Sequence, residues 1–203
     1  MKRIAVIGGG GHAKVIISTV YASGDEVIAV FDDDLSLKGT LISGVTVCGP
    51  TTNIRPEEFD QAIIAIGTNT VRQKVAQSLS LPWGTAISPS AQVDPSLKIG
   101  EGTVVFAGAI IQPDTVIGKH VIINTGATID HDCVIGDFVH IAPGVHLAGN
   151  VSLEAGVFLG IGSVVIPGKR IGCWTTIGAG AVVLQDIGER KVAYGVPARV
   201  KTE

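Results

Sequence analysis

The sequence predicts two architectures in tandem: an α/β unit with a short parallel sheet, then an all-β parallel β-helix. Three observations predict them. Through the first 80 residues, apolar strands alternate with helical stretches around glycine loops. From Ile87 onward an aliphatic residue returns at every sixth position. The composition also fits a narrow core, with 27 glycines and 46% apolar residues among 203 but only 4% aromatic and 16% charged.

That composition excludes several classes. A mean hydropathy of +0.45 with so little charge leaves ample apolar surface to bury, which disorder does not. The longest apolar runs, such as 62–66, fall far short of the roughly 18 residues that span a bilayer. A net charge of −3 lacks the basic footprint of a nucleic-acid binder. Cys48, Cys133 and Cys173 form no C-x-x-C pair, and the start Met1-Lys2-Arg3-Ile4 is no signal peptide. The expected setting is therefore reducing and cytoplasmic.

In the first unit, Arg3–Ile7 reads as a strand running into Gly8-Gly9-Gly10-Gly11-His12. A helix is predicted from Ala13 to about Ala22, with Val15, Ile16, Thr19 and Val20 inward. Strands follow at 27–31, closed by Asp32-Asp33-Asp34, and at 59–66, before Gly67-Thr68-Asn69 and a helix through Val71, Val75 and Leu79. Strand, glycine loop, helix, strand is half of a Rossmann-type nucleotide-binding unit. Free N–H groups in the loop and the helix dipole favour a phosphate. Gly8, Gly10 and Ala13 also fit G-x-G-x-x-A, and Asp32 falls where a ribose-binding acid would stand.

The repeat runs Ile87, Val93, Ile99, Val105 and on without a skipped register to Val183. Two residues earlier stands a small or β-branched residue, as at Ala109, Thr115, Cys133 and Ala181. Residues two apart share a face of a strand, so both point inward. Three hexads close a triangular coil of 18 residues, and the narrow prism admits few rings. Glycines after the aliphatic, such as Gly100, Gly118 and Gly136, are expected at corners where positive φ is cheap. The predicted domains are 1–80, 81–186 for the prism, and a tail at 187–203.

Val104, Ile110, Val116, Ile122, Val134, Phe158, Val164 and Val182 take outward positions. Their apolar surface predicts side-by-side packing of parallel prisms in a homotrimer.

Four of the five histidines fall between residues 120 and 146. His131 shares its place in the coil with Pro113 and Gly149, a solvent-facing corner with no core role for an imidazole. Asp132 follows and can accept a hydrogen bond from one ring nitrogen, raising the basicity of the other. His131 with Asp132 is therefore the candidate catalytic pair. His140, nine residues on, is expected on a neighbouring face of the same coil. His146 is expected in interface packing and His120 in solvent. The histidine spacings of 11, 9 and 6 lack the H-x-x-x-x-H ligand pattern, so no metal is expected.

The Gly8–His12 loop, Phe31-Asp32-Asp33, Ile66-Gly67-Thr68-Asn69, the hexads, Ile123-Asn124-Thr125, Ile129-Asp130-His131-Asp132 and Gly195-Val196-Pro197-Ala198-Arg199 together resemble the bacterial hexapeptide acyltransferases that acetylate nucleotide-linked amino sugars. These are the bacillosamine- and perosamine-pathway N-acetyltransferases, with related sialic acid O-acetyltransferases. The resemblance covers essentially the whole chain and implies a left-handed coil. It implies that Gly10, Gly11, His12, Asp32, Asp33 and Gly67 hold a nucleotide sugar. It implies acetyl-CoA in a groove between prisms, with His140 near the acetyl group and backbone contacts around Gly149, Ile161 and Ala179. His131 matches the general base and Asp132 its carboxylate partner, where many relatives carry Glu. O-acetylation of a sugar, or a non-catalytic trimer that binds nucleotide sugars, are the alternative readings.

Overall fold

The computed structural model describes residues 1–201. In the N-terminal domain β1 (Arg3–Ile7), α1 (Gly11–Ala22) and β2 (Glu26–Phe31) follow the predicted pattern. β3 (Leu41–Ile42) and β4 (Val45–Gly49) form an antiparallel pair with no expected counterpart. β5 (Gln61–Ile64) and α2 (Asn69–Ser78) complete the domain. The sheet order is β3-β4-β2-β1-β5, parallel apart from β3. α1 buries Ala13, Ile16, Ile17 and Val20, whereas Val15, expected inside, faces solvent.

The hexads build a prism of two-residue strands stacked 18 residues apart, as in Ile122↔His140↔Phe158. One face presents Val116, Val134, Ser152 and Arg170 outward and is called here the valine face. The next, the covered face, presents Val104, Ile122, His140, Phe158 and Thr176. The third, the open face, presents Ile110, Thr128, His146, Val164 and Val182. Aliphatic residues fill the interior with Ala109, Ala127, Cys133 and Ala181 between them. The prism continues beyond residue 186. Ile187 bridges to Ile171, and the strand Val192–Tyr194 adds a rung beside Thr176–Ile177, so this segment closes the prism end.

Two expectations change. Positive φ occurs at every sixth residue from Gly102 to Gly180, three positions after each aliphatic, with Asp114, His120, Asp132, Phe138, Asn150 and Trp174 among the residues that adopt it. The glycines directly after the aliphatics answer a different demand. A Cβ on Gly118 would lie 2.5 Å from Asp137 Oδ1, and one on Gly160 would lie 2.6 Å from the Ala179 nitrogen. They are needed where successive coils approach each other closely.

The outward apolar residues also divide. Val104 and Ile122 are buried under α1, in one core with Ile16, Ile17 and Val20, and they join the domains within a chain. Val116 and Val134 remain open, 57% and 51% exposed. Burying a side chain of that size is worth about 1.5–3 kcal/mol, so the shared core commits the N-terminal domain to the covered face.

Candidate active site

The three corners of the prism differ in what stands at their positive-φ positions. Between valine and covered faces the column is Gly102, His120, Phe138, Gly156 and Trp174, an aromatic corner. Between covered and open faces it is Gly108, Gly126, Gly144, Gly162 and Gly180, a glycine corner. Between open and valine faces it is Asp114, Asp132, Asn150 and Gly168, an acidic corner.

His131 and Asp132 lie at the acidic corner. Asp and Asn tolerate a left-handed backbone better than other residues with side chains, which explains how Asp132 holds φ 59°. Its Oδ2 lies 2.7 Å from His131 Nδ1. A carboxylate only accepts, so Nδ1 carries the proton and Nε2 is left with a lone pair. The hydrogen bond to Asp132, with the charges of Asp130 and Asp114, raises the His131 pKa above its ordinary value. The ring lies over Gly149, where a Cβ would meet Cε1 at 2.7 Å. The Gly149 N–H takes no backbone partner among the described residues.

His140 lies elsewhere. Its strand is on the covered face, and the acidic corner is the prism edge opposite that face. The expected neighbouring-face placement therefore gives way: His131 and His140 share a coil but point to opposite sides of it. The His140 ring is buried against the N-terminal domain. Nδ1 is 3.1 Å from the Gly67 carbonyl, and Nε2 is 3.4 Å from Asn124 Nδ2. His12 packs on Phe106 with its ring centre 6.3 Å from that of His140. Burial, with the charge of Arg72, lowers both histidines to about 4. His12, Gly67 and His140, predicted from separate segments, thus converge at the domain junction.

The glycine loop is open at its second half: Gly10 and Gly11 are exposed, and a Cβ on either would meet nothing within 4 Å. No acidic residue lies in the first turn of α1. Asp32 uses both oxygens within the chain, accepting from the Gly9 nitrogen at 2.5 Å and the Asp34 nitrogen at 2.8 Å. Asp33 accepts from the backbone and hydroxyl of Thr51, each at 2.8 Å. These carboxylates shape the loops beside the candidate site. Ile161 and Ala179 are exposed along the glycine corner, and a Cβ on Gly126, Gly144, Gly162 or Gly180 would meet nothing within 4 Å.

Two expectations for single histidines separate. His146 is exposed, with Nδ1 2.8 Å from Thr128 Oγ1. His120, expected in solvent, is 4% exposed. It stacks on Phe138 at 5.2 Å and meets the edge of Trp83 at 5.0 Å. The reason is its corner: the domain linker and α2 cover the aromatic column.

The residues that sequence reasoning missed lie on α2. The apolar spacing puts Val71 inside, yet Val71 is exposed and Asn69 and Arg72 are buried. Asn69 Nδ2 donates to the carbonyls of Gly156 and Val157. Arg72, 1% exposed, donates to the carbonyls of Ile66, Gly67, His120 and Phe138 and to Asn69 Oδ1. Burial lowers its pKa to about 10. Only the i, i+3 pairing of two polar residues after a strand and a Gly-Thr turn could have signalled this role. Above them opens a cavity of about 510 Å³ walled by Thr68, Thr70, His140, Phe158, Trp174 and Thr176.

A prism of hexapeptide repeats with an exposed imidazole–carboxylate pair on its edge, joined to a half-Rossmann domain, fits the class of hexapeptide-repeat acyltransferases. Residues 3–79 match the PglD N-terminal domain model, and residues 96–131 match the bacterial transferase hexapeptide model of six repeats. A variant of perosamine N-acetyltransferase from Caulobacter crescentus, solved with CoA and GDP-perosamine, is 42% identical; the alignment covers 98% of this chain and 97% of that one, with a TM-score of 0.94. The acetyltransferase domain of PglB from Neisseria gonorrhoeae, solved with acetyl coenzyme A, is 36% identical over 98% of each chain, with a TM-score of 0.90. The chain belongs to the bacterial hexapeptide-repeat family of sugar N-acetyltransferases, and its prism is a left-handed parallel β-helix. Among curated sequences, the galactoside O-acetyltransferase of Lactococcus lactis is 49% identical over 51 residues, a quarter of each chain. The chain spans only about a quarter of this relative's length.

Proposed function

We propose that this protein transfers the acetyl group of acetyl-CoA to the amino group of a nucleotide-linked 4-amino-4,6-dideoxy sugar. The observation that carries the reading is the His131–Asp132 pair: Nδ1 is committed to the carboxylate and Nε2 is open on an exposed edge. His131 Nε2 takes a proton from the sugar amine as its nitrogen attacks the thioester carbon. The C–N bond forms, the C–S bond breaks, and CoA leaves as the thiolate. A neighbouring carboxylate suits a base working near neutral pH. The Gly149 N–H, without a backbone partner, is suited to the developing oxyanion.

The nucleotide sugar would occupy the N-terminal domain, with its phosphates at the exposed N–H groups of Gly10 and Gly11 and its other contacts at His12, Asp32, Asp33 and Gly67. The acetyl end would lie at His140, and CoA would run past Ile161 and Ala179 along the glycine corner. Among the described residues nothing lies within 4 Å of a Cβ built on Gly126, Gly144, Gly162 or Gly180, so these glycines fit close approach by a ligand.

Because His131 and His140 face opposite sides of one coil, a site using both takes them from two chains. That supports a homotrimer with three interfacial sites, and the exposed Val116 and Val134 supply apolar surface for it. Three free thiols fit a reducing, cytoplasmic setting. Among the described residues no helix is long and apolar enough to cross a membrane.

The test is CoA-thiol release against UDP-, GDP- and dTDP-linked 4-amino-4,6-dideoxy sugars, with sedimentation of the same sample. Turnover on one of them by a species of three 20.8 kDa chains supports the reading. Activity confined to free sugar hydroxyls, or nucleotide-sugar binding without turnover, overturns it.

A further inference from the structure

Arg72 is a buried cation that contacts no carboxylate among the described residues; its hydrogen bonds go to five backbone carbonyls and one amide oxygen. One of those carbonyls, Gly67, also faces His140: Arg72 Nη1 lies 3.1 Å from it and His140 Nδ1 lies 3.1 Å from it. A guanidinium only donates and a carbonyl only accepts. The oxygen therefore fills one lone pair with Arg72 and presents the other to His140. On the far side of the ring, Asn124 Oδ1 accepts from the Thr125 nitrogen at 2.8 Å, which turns the Asn124 amide so that Nδ2 faces His140 Nε2. Both ring nitrogens of His140 are thereby specified.

We propose that Arg72 is a positioning residue that acts through the Gly67 carbonyl, holding His140 as the Nδ1–H tautomer with its Nε2 lone pair directed at Asn124. This rests on the acyl-transfer reading, in which His140 stands at the acetyl end. The groups facing the guanidinium field are His12 from α1 and His120 and His140 from the prism, and all three are disfavoured as cations by burial and by Arg72. A protonated His140 would add a third donor to a crowded junction and would turn Nε2 from acceptor into donor, against the Asn124 amide. Arg72 therefore fixes the direction of the ring through the Gly67 carbonyl, and its charge adds to the burial that keeps the ring neutral, against the Gly67 hydrogen bond, which favours the cation. It also ties the loop that holds Gly67 to the prism carbonyls of His120 and Phe138, so a displacement of the loop is passed to the ring.

The experiment is 15N NMR of the imidazoles in the full chain, wild type and Arg72→Gln, read alongside steady-state kinetics. The wild type is expected to show His140 as the Nδ1–H tautomer, neutral through pH 5. In Arg72→Gln, His140 is expected to titrate at higher pH or to mix tautomers. Its kcat should fall about 10- to 100-fold, as for a misplaced active-site group, with a smaller change in the KM for the nucleotide sugar. Arg72→Lys keeps the charge but not the fork, and should restore His140 neutrality without restoring kcat. A proton on Nε2 in the wild type, or titration near the free histidine value, overturns the proposal even if Arg72→Gln fails to fold. A folded Arg72→Gln with His140 unchanged overturns it as well. The NMR readout needs no turnover, so it separates this proposal from the acyl-transfer reading.

Discussion

His131 Nδ1 lies 2.7 Å from Asp132 Oδ2, and the aspartate reaches it from a left-handed backbone conformation with φ 59°. The corner geometry of the prism is thus what brings the carboxylate to the imidazole. Asp132→Asn keeps a residue that accepts this backbone and removes the charge. The proposed base works deprotonated, and Asp132 raises the His131 pKa above 6.5, so wild-type kcat/KM should climb with pH through a value above 6.5. In Asp132→Asn that acidic limb should move to lower pH. His131→Ala should cost about 10²–10⁴ in kcat, the range for loss of a general base, while thermal stability stays near wild type because the side chain is exposed. A pH–rate profile and a single kcat comparison check both.

Gly149 is buried beneath the His131 ring, and its φ lies outside the left-handed region. Gly149→Ala should therefore fold. Its methyl would meet the imidazole at 2.7 Å and displace the proposed base, lowering kcat about 10- to 100-fold. Melting temperature and kcat measured together test this: intact folding with reduced turnover is expected.

At Gly162 φ is 65° and a Cβ would meet nothing within 4 Å among the described residues. The equivalent place one corner on is filled by Asn150 and Asp132 at nearly the same φ. Gly162→Asn should leave stability within about 1 kcal/mol and raise the KM for acetyl-CoA about 10-fold or more, from the steric loss of a packed contact. An unchanged KM would remove CoA from the glycine corner.

The Nδ1 of His120 is buried without a hydrogen-bond partner among the described residues, and burial lowers this residue to about 4. The folded pKa lies below the unfolded value of 6.5, so the unfolded state binds more protons between them. Stability should fall as pH drops from about 6.5 to 4. Phe138 fills the next place in the same column at φ 60°, so the corner accepts a phenyl ring. His120→Phe should raise stability at pH 7 by about 1 kcal/mol, by removing an unsatisfied polar atom, and reduce the acid dependence, leaving the part due to His12 and His140. Chemical denaturation at pH 7 and pH 5 checks both signs.

The period of six was fully legible because the prism is built by local rules: each hexad needs one inward aliphatic, one small partner and one turn. The candidate base was legible for the same reason, since stacking by 18 put His131 beside Pro113 and Gly149. The domain junction was not. Val71, Val75 and Leu79 mark an apolar stripe on α2, while the contacts made by Asn69 and Arg72 are to carbonyls that no side-chain pattern records. His120 failed for a related reason, because its corner resembles the others until the N-terminal domain covers it.

The sequence by itself therefore determined the two architectures, the register of the prism and the His131–Asp132 pair, all of which follow from neighbours within a few residues or one coil. Only the tertiary structure decided which face the N-terminal domain covers and that His140 looks away from His131 toward Gly67. It also decided that a buried arginine joins the two domains. These depend on which surfaces meet over long sequence separations, where backbone groups freed at corners and loop ends must find partners when water is excluded.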